Sequence, residues 1–343
     1  MNAKKKIHVL VVDDSAFMRK AISKILESDP EIKVVGTASS GEECLEKVPE
    51  LQPDIVALDL DMPGMGGLEA LRRLMKENPV PVVVISALTY EGAQITFEAL
   101  ESGAQDFIYK DILRSPLDIL KKEHEIITKV KEIAKKGIAL IKPVKTPEKR
   151  AFRSLRGEKV IAIGTSTGGP VALENVLKSL PDDIPSGIVI TQHMPDAFVK
   201  PFADRLNRLT KIDIVVAEDG AKLEPRVAYI APGSAHLVLE RTSKGIAIRT
   251  AKSPKTLYMP SVDIMFKSVA QIYGDGSVGV VLTGMGNDGK EGAREIKKAG
   301  GVIIAQDEST CVVYGMPKAV IESGLADKVV PLDKIPEAIL EEL

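Results

Sequence analysis

The chain has 343 residues, 44% of them hydrophobic and 27% charged, with a formal net charge of -2. That length suits two domains of roughly 100–200 residues each. The balanced charge gives no global field to recruit nucleic acid or an anionic membrane, and the two cysteines, Cys44 and Cys311, are too few for a disulfide scaffold. No apolar run reaches the roughly 18 residues of a membrane span, and the basic start Met1–Lys6 lacks the apolar stretch of a signal peptide, so a cytoplasmic protein is expected.

Ile7–Val12 is an apolar run broken only by His8 and predicts a buried parallel strand. Phe17, Met18, Ile22, Ile25 and Leu26 then recur at helical spacing. Ile32–Val35, Ile55–Leu58, Val82–Ile85 and Phe107–Tyr109 predict further strands, with helical stretches between them that end at Asp29-Pro30 and Asn78-Pro79. Such βα repetition implies a doubly wound parallel sheet covered on both faces. From Ile126 to Arg156 there are ten Lys or Arg against two acidic residues, with Pro143 and Pro147. The part to about Ile141 can continue the last helix, and the rest predicts a solvated tether rather than a binding patch. A second α/β pattern follows, with strands at Val160–Ile163, Ile188–Thr191, Val278–Leu282 and Val302–Ala305 and a helix through Ala293, Ile296 and Ala299. Val227–Ile230, Leu237–Leu239 and Ile246–Ile248, with Gly233 and Gly245 at turns, predict a small antiparallel insert.

Chemistry-bearing residues sit at the ends of these strands. Asp13 and Asp14 follow the first strand and Asp59 the third, while Ser86 closes the fourth and Lys110 the fifth. Ligands of doubly wound sheets bind at the carboxyl ends of strands. Three carboxylates there repel one another unless a cation holds them, and an oxygen-only set suits Mg²⁺. A hydroxyl and an ammonium on the same rim can bind the oxygens of a phosphoryl group. Helix capping explains Asp13 or Asp14 taken alone, but not the whole set. The set resembles the receiver domain of two-component response regulators. The segment Asp59-Leu60-Asp61-Met62-Pro63-Gly64-Met65-Gly66-Gly67 is similar to that family's loop after its phosphoacceptor. The resemblance covers residues 7 to about 123. It implies a flavodoxin-like fold, phosphorylation of Asp59, Mg²⁺ on Asp13, Asp14 and Asp59 with help from the Asp61 carbonyl, and Ser86 and Lys110 as the switch residues. Asp111 stands where the family usually has Pro.

In the second domain the strand Val160–Ile163 leads into Gly164-Thr165-Ser166-Thr167-Gly168-Gly169-Pro170. This matches a nucleophile elbow, which exposes a serine above a sheet, and equally a Gly-rich turn that binds phosphate at a helix N-terminus. The dinucleotide fingerprint and the P-loop Gly-Lys-Ser/Thr are both missing, and Pro170 fits a first helical turn. A nucleophilic serine needs a base. Of the four histidines, His8 and His124 belong to the first domain. His193 follows the strand Ile188–Thr191 on the same sheet edge as Ser166, whereas His236 lies in the expected insert, so His193 is favoured. Asp288, in Thr283-Gly284-Met285-Gly286-Asn287-Asp288-Gly289, also follows a buried strand directly, unlike its rivals Asp196, Asp219 and Asp263. Its alternative role is an N-cap for the helix from Lys290. Backbone at Thr167, Gly168, Met285 and Gly286 offers amides for an oxyanion. The order Ser, His, Asp differs from that of the α/β-hydrolases, so that superfold is not expected.

At these residues the chain resembles the chemotaxis protein-glutamate methylesterases, through Ser166–Gly169, Gln192-His193-Met194-Pro195 and Thr283–Gly289. The match runs from about residue 158 to the end. The resemblance implies a receiver at 5–123, a linker at 124–157 and a Rossmann-like α/β catalytic domain at 158–343. It assigns Ser166 as nucleophile, His193 as base and Asp288 as its partner. The implied activity is demethylation of glutamate methyl esters, and deamidation of glutamines, on methyl-accepting chemotaxis receptors. A chemotaxis histidine kinase would phosphorylate Asp59 and activate the enzyme by uncovering the catalytic rim. The hydrolase needs no cofactor, nucleic acid is not a partner, and the membrane is met only through receptors. Thr165 stands where Ala is common in the family. The competing possibilities are a nucleotide-binding output domain, with Gly164–Gly169 cradling phosphate, and a DNA-binding output, for which no helix-turn-helix is present.

Overall fold

The computed structural model describes residues 6–87, 89–110, 116–138, 159–254 and 256–343. Asp111 and residues 139–157 of the expected linker lie outside them. The chain divides into two compact units, Met1–Ala139 and Leu140–Leu343.

The first unit alternates β1 (Ile7–Val12), α1 (Ala16–Glu27), β2 (Ile32–Ala38), α2 (Gly41–Leu51), β3 (Ile55–Asp59), α3 (Gly66–Glu77), β4 (Val82–Ser86), α4 (Tyr90–Glu101), β5 (Asp106–Tyr109) and α5 (Pro116–Lys136). Its strands are all parallel in the order β2-β1-β3-β4-β5, the flavodoxin-like arrangement. Strands β3 and β4 are buried along their whole length, which is why they are continuous apolar runs rather than alternating ones. Helix α5 carries the unit to Lys136, past the boundary expected at 123. The basic run hides an apolar stripe of Ile126, Val130 and Ile133, all buried, at the spacing of one helix face. The helix continues here as expected, and the stretch after Ile141 expected to be a tether lies outside the described residues. Lys129 pairs with Asp106, and Lys131 with Asp29 and Glu31.

The second unit begins with β6 (Val160–Thr165), α6 (Gly169–Ser179), β7 (Gly187–Gln192), α7 (Asp196–Leu209), β8 (Asp213–Val216) and β9 (Val227–Ile230). A hairpin of β10 (His236–Thr242) and β11 (Gly245–Ala251) follows, then α8 (Val262–Tyr273), β12 (Ser277–Val281) and α9 (Lys290–Lys298). The chain closes with β13 (Val302–Gln306), α10 (Met316–Ile321), β14 (Lys328–Val330) and α11 (Ile335–Glu341). Seven parallel strands form one sheet in the order β14-β13-β12-β6-β7-β9-β8. The antiparallel insert is only β10 with β11. Val227–Ile230, expected in that insert, is instead β9, parallel between β7 and β8. Its Ala228, Tyr229 and Ile230 are buried, and four residues carry too little periodicity to tell a hairpin from a sheet strand. Among the described residues no helix is long and apolar enough to cross a membrane.

Candidate active site and receiver pocket

In the seven-stranded sheet the central strand β6 lies between β7 and β12. Sequence neighbours therefore diverge to opposite sides of β6, and their loops open a crevice at the carboxyl edge. Ser166 leaves β6, His193 leaves β7 and the Thr283–Asp288 loop leaves β12. Backbone bonds lace these loops together: Ser166 N–H donates to Thr283 O at 3.1 Å and His193 N–H to Thr165 O at 3.1 Å. The buried Gln192 carboxamide adds a clamp, its Nε2 donating to Ser166 O at 2.9 Å and to His193 O at 3.1 Å.

His193 Nε2 lies 2.8 Å from Asp288 Oδ2. Asp288 is buried and also accepts from Ser261 Oγ at 2.9 Å and from the amides of Val262 and Asp263 at 2.7 and 3.0 Å. Burial pushes its carboxyl up, but the His193 bond, the imidazole charge and the amides outweigh burial and hold it below the usual carboxylate range. An ionised Asp288 places the neutral imidazole proton on Nε2 and leaves the lone pair on Nδ1. That Nδ1 is buried and without a hydrogen-bond partner among the described residues. No hydrogen bond there joins Ser166 Oγ to the imidazole, whereas the ring of Tyr258 stacks on His193 at 4.7 Å and 5°. Thr167 Oγ1 is likewise buried and unpartnered. Gly168 caps the N-terminus of α6, and Gly286 has φ +85 with the Tyr258 hydroxyl only 2.2 Å from where a Cβ would stand. Met285 lies between Gly284 and Gly286 in the same loop.

The other candidates are engaged elsewhere. Buried His236 accepts from Ser261 N–H at 3.0 Å through Nδ1 and donates through Nε2 to Pro254 O at 2.9 Å. Asp196 accepts from Ser234, Asp219 from Thr250 N–H and Arg249, and Asp263 from the amides of Gly289 and Gly292.

In the first unit Asp13 and Asp59 are fully buried and Asp14 is exposed, yet one carboxylate oxygen from each lies within 4.8 Å of the others. Lys110 Nζ sits 2.6 Å from Asp59 Oδ2 and 3.5 Å from Asp13 Oδ2. Burial drives the Asp59 carboxyl up to about 6 in spite of Lys110. Asp13 Oδ2 accepts no hydrogen bond among the described residues. One ammonium against three carboxylates leaves negative charge uncompensated, and the oxygen-only donors fit a hard divalent cation. Ser86 Oγ is buried beside the pocket and accepts from Thr96 Oγ1 at 2.6 Å.

Residues 161–339 match the CheB methylesterase family and residues 9–121 the response regulator receiver domain family. A protein-glutamate methylesterase/protein-glutamine glutaminase from Nitratidesulfovibrio vulgaris is 46% identical over 98% of this chain and 99% of that protein. One from Pyrococcus horikoshii is 46% identical over 98% of this chain and 94% of its own. The chain belongs to the CheB methylesterase family. The crystal structure of the Thermotoga maritima CheB methylesterase catalytic domain, 44% identical, superposes with TM-score 0.54 and covers 55% of this chain and 100% of that one.

Within this CheB-type architecture, four residues at the two sites were not among the sequence candidates. Tyr258 and Ser261 come from the irregular segment before α8, Thr96 is buried inside α4, and Gln192 is the last residue of a strand. For Gln192 alone a signal exists: a carboxamide at the end of an otherwise apolar strand must find partners or pay for burial.

Proposed function

We propose that the chain hydrolyses glutamate γ-methyl esters, and deamidates glutamines, on methyl-accepting chemotaxis receptors. The observation that carries this is the His193–Asp288 bond, 2.8 Å long, beside a serine loop laced to the same rim. With its proton held on Nε2, the imidazole works through Nδ1. Ser166 Oγ attacks the ester carbonyl carbon while its proton passes to Nδ1. Amides at Thr167, Gly168, Met285 and Gly286 face the developing oxyanion. Nδ1 returns the proton to the leaving methoxide, and methanol departs. Water then gives its proton to Nδ1, attacks the acyl-serine and frees the glutamate carboxylate. With glutamine the departing group is ammonia. The decisive experiment measures methanol release from methylated receptor by the full chain and by Ser166→Ala. A fall of about 10⁴-fold or more is expected, and a near-normal rate ends the assignment.

Asp59 is the phosphoacceptor, served by a chemotaxis histidine kinase, and its phosphorylation raises the hydrolase rate. Asp13, Asp14 and Asp59 are the residues to hold Mg²⁺, which when bound compensates their charge and that of an incoming phosphoryl group. Lys110 and Ser86 then meet the phosphoryl oxygens. The protein works in the cytoplasm, meeting the membrane through its receptors. Hydrolysis with and without a small-molecule phosphodonor tests this control, and a rate indifferent to the donor contradicts it.

A further inference from the structure

Behind Asp288 lies a series of hydrogen bonds that the proposed proton transfers do not use. Ser261 Oγ donates to Asp288 Oδ1 at 2.9 Å, Ser261 N–H donates to His236 Nδ1 at 3.0 Å, and His236 Nε2–H donates to Pro254 O at 2.9 Å. Ser261 and His236 are 3% and 0% exposed, so water does not compete for these groups. The tautomer of His236 is fixed from both ends, because one nitrogen meets an amide and the other a carbonyl. Its lone pair therefore pins the Ser261 backbone and leaves the hydroxyl directed at Asp288. Ser261 is also the N-cap of α8, accepting from Ile264 N–H at 3.4 Å. Besides His193, it gives Asp288 its one side-chain donor among the described residues.

A carboxylate whose charge is shared among more donors attracts an adjacent imidazolium less. We propose that Ser261, held by His236, is a positioning residue that orients Asp288 and tempers its pull on the His193 proton, setting the pH range in which His193 serves as base. This rests on the Ser166–His193–Asp288 assignment above. The other ionisable groups facing the pair are Asp263 at the start of α8, with Lys267 one turn further along, Tyr258 stacked on His193, and His236 behind Ser261. Of these, Asp263 meets Asp288 through its amide, and the charges of the two carboxylates repel each other.

The direction follows from charge. Deleting the Ser261 hydroxyl concentrates negative charge on Asp288, favours imidazolium and moves the acidic limb of the pH–rate profile to higher pH. The test is kcat/KM against pH for methyl-ester hydrolysis by the full chain as wild type, Ser261→Ala and Ser261→Thr. In Ser261→Ala the limb should rise by about half to one pH unit, with kcat lowered and KM within about twofold. Ser261→Thr, which keeps the hydroxyl, should restore the wild-type limb. A Ser261→Ala protein that melts lower with its limb unmoved overturns the proposal and leaves Ser261 a helix cap. If Ser261→Ala does not fold, Ser261→Cys serves, since a thiol is a weak donor and should move the limb the same way. An NMR titration of His193, assigned by the signal lost in His193→Gln, reads the same shift without turnover. If His193→Gln hydrolyses ester normally, the underlying assignment has failed. If His193→Gln is dead and the limb stays fixed in Ser261→Ala, this inference alone has failed.

Discussion

Asp263 and Asp288 cap each other's helices. Asp288 accepts from the amides of Val262 and Asp263 at 2.7 and 3.0 Å, in the first turn of α8, and Asp263 accepts from Gly289 and Gly292 at 3.0 and 2.7 Å, where α9 begins. Each carboxylate thus sits on the positive end of the helix that the other one's loop starts. The proposed catalytic carboxylate is in this way a structural part of two helix termini. Burial, and then the neighbouring Asp288 charge, raise the Asp263 carboxyl above its ordinary value. Asp263→Ala should cost about 1–2 kcal/mol and lower the hydrolytic rate, because the turn at Gly289 that carries Asp288 loosens. Asp263→Asn keeps an acceptor without the repulsion and should retain most of the stability. Denaturant unfolding of the full chain measures both variants. An Asp263→Ala protein as stable as wild type contradicts the reciprocal arrangement.

Asp288→Asn keeps the shape of the side chain but no longer dictates which imidazole nitrogen carries the proton. Hydrolysis should fall by about 10⁴-fold, as for other triads of this kind. The variant should also be less stable, and the loss should depend on pH in a definite sense. The wild-type carboxyl is held below its ordinary value of 3.8, so its contribution is present above that pH and fades as pH drops beneath it. The stability gap between wild type and Asp288→Asn should be wide near neutrality and narrow in acid. A gap that stays constant into acid would count against an ionised, amide-held Asp288.

Much of the fold and of both candidate sites was legible because parallel sheets advertise themselves. Buried strands such as Ile55–Leu58 and Val160–Ile163 are uninterrupted apolar runs, and the residue after each run necessarily lies on the ligand-binding edge. That rule brought Asp13, Asp59, Lys110, Ser166, His193 and Asp288 to the edges where they stand. It does not reach residues whose importance comes from packing across the sheet. Tyr258 and Ser261 sit in an irregular stretch, and their partners are remote in sequence. The two edge strands of the second sheet were equally silent: β8 alternates in burial and β14 spans three residues with Val329 exposed. The helical start of the basic run was legible, and its apolar residues Ile126, Val130 and Ile133 decide where it packs.

Gln192 ties the carbonyl of Ser166 to the carbonyl of His193 through one amide nitrogen. Gln192→Glu removes both donors and sets a carboxylate against two carbonyl oxygens in a site only 2% exposed. Ser166 O keeps its bond from Gly169 N–H at 2.8 Å, while a buried carbonyl left without a donor costs about 1–3 kcal/mol. Labelling of Ser166 by a serine-reactive phosphonate should slow markedly, along with methyl-ester hydrolysis. Gly169→Ala should behave similarly, since a Cβ there would fall 2.0 Å from Gln192 Oε1 and displace the carboxamide. Wild-type labelling rates in both variants would show that the clamp does not position the serine.

Lys110 is the one ammonium within ion-pair distance of Asp59 and Asp13 among the described residues, at 2.6 and 3.5 Å. Without a divalent ion, Lys110→Met leaves two buried carboxylates facing each other unpaired, and removing one member of a buried pair costs about 3–5 kcal/mol. The first unit should therefore melt lower in chelator. Mg²⁺ should raise the melting temperature of the wild type by binding the folded form. In Lys110→Met it should raise it further still, because the ion then meets charge that no side chain neutralises. Calorimetry of both proteins, first in chelator and then with added Mg²⁺, makes the comparison. A wild-type receiver transition that Mg²⁺ leaves in place would remove the metal from Asp13, Asp14 and Asp59, since no ion can occupy three carboxylates of the folded state without stabilising it.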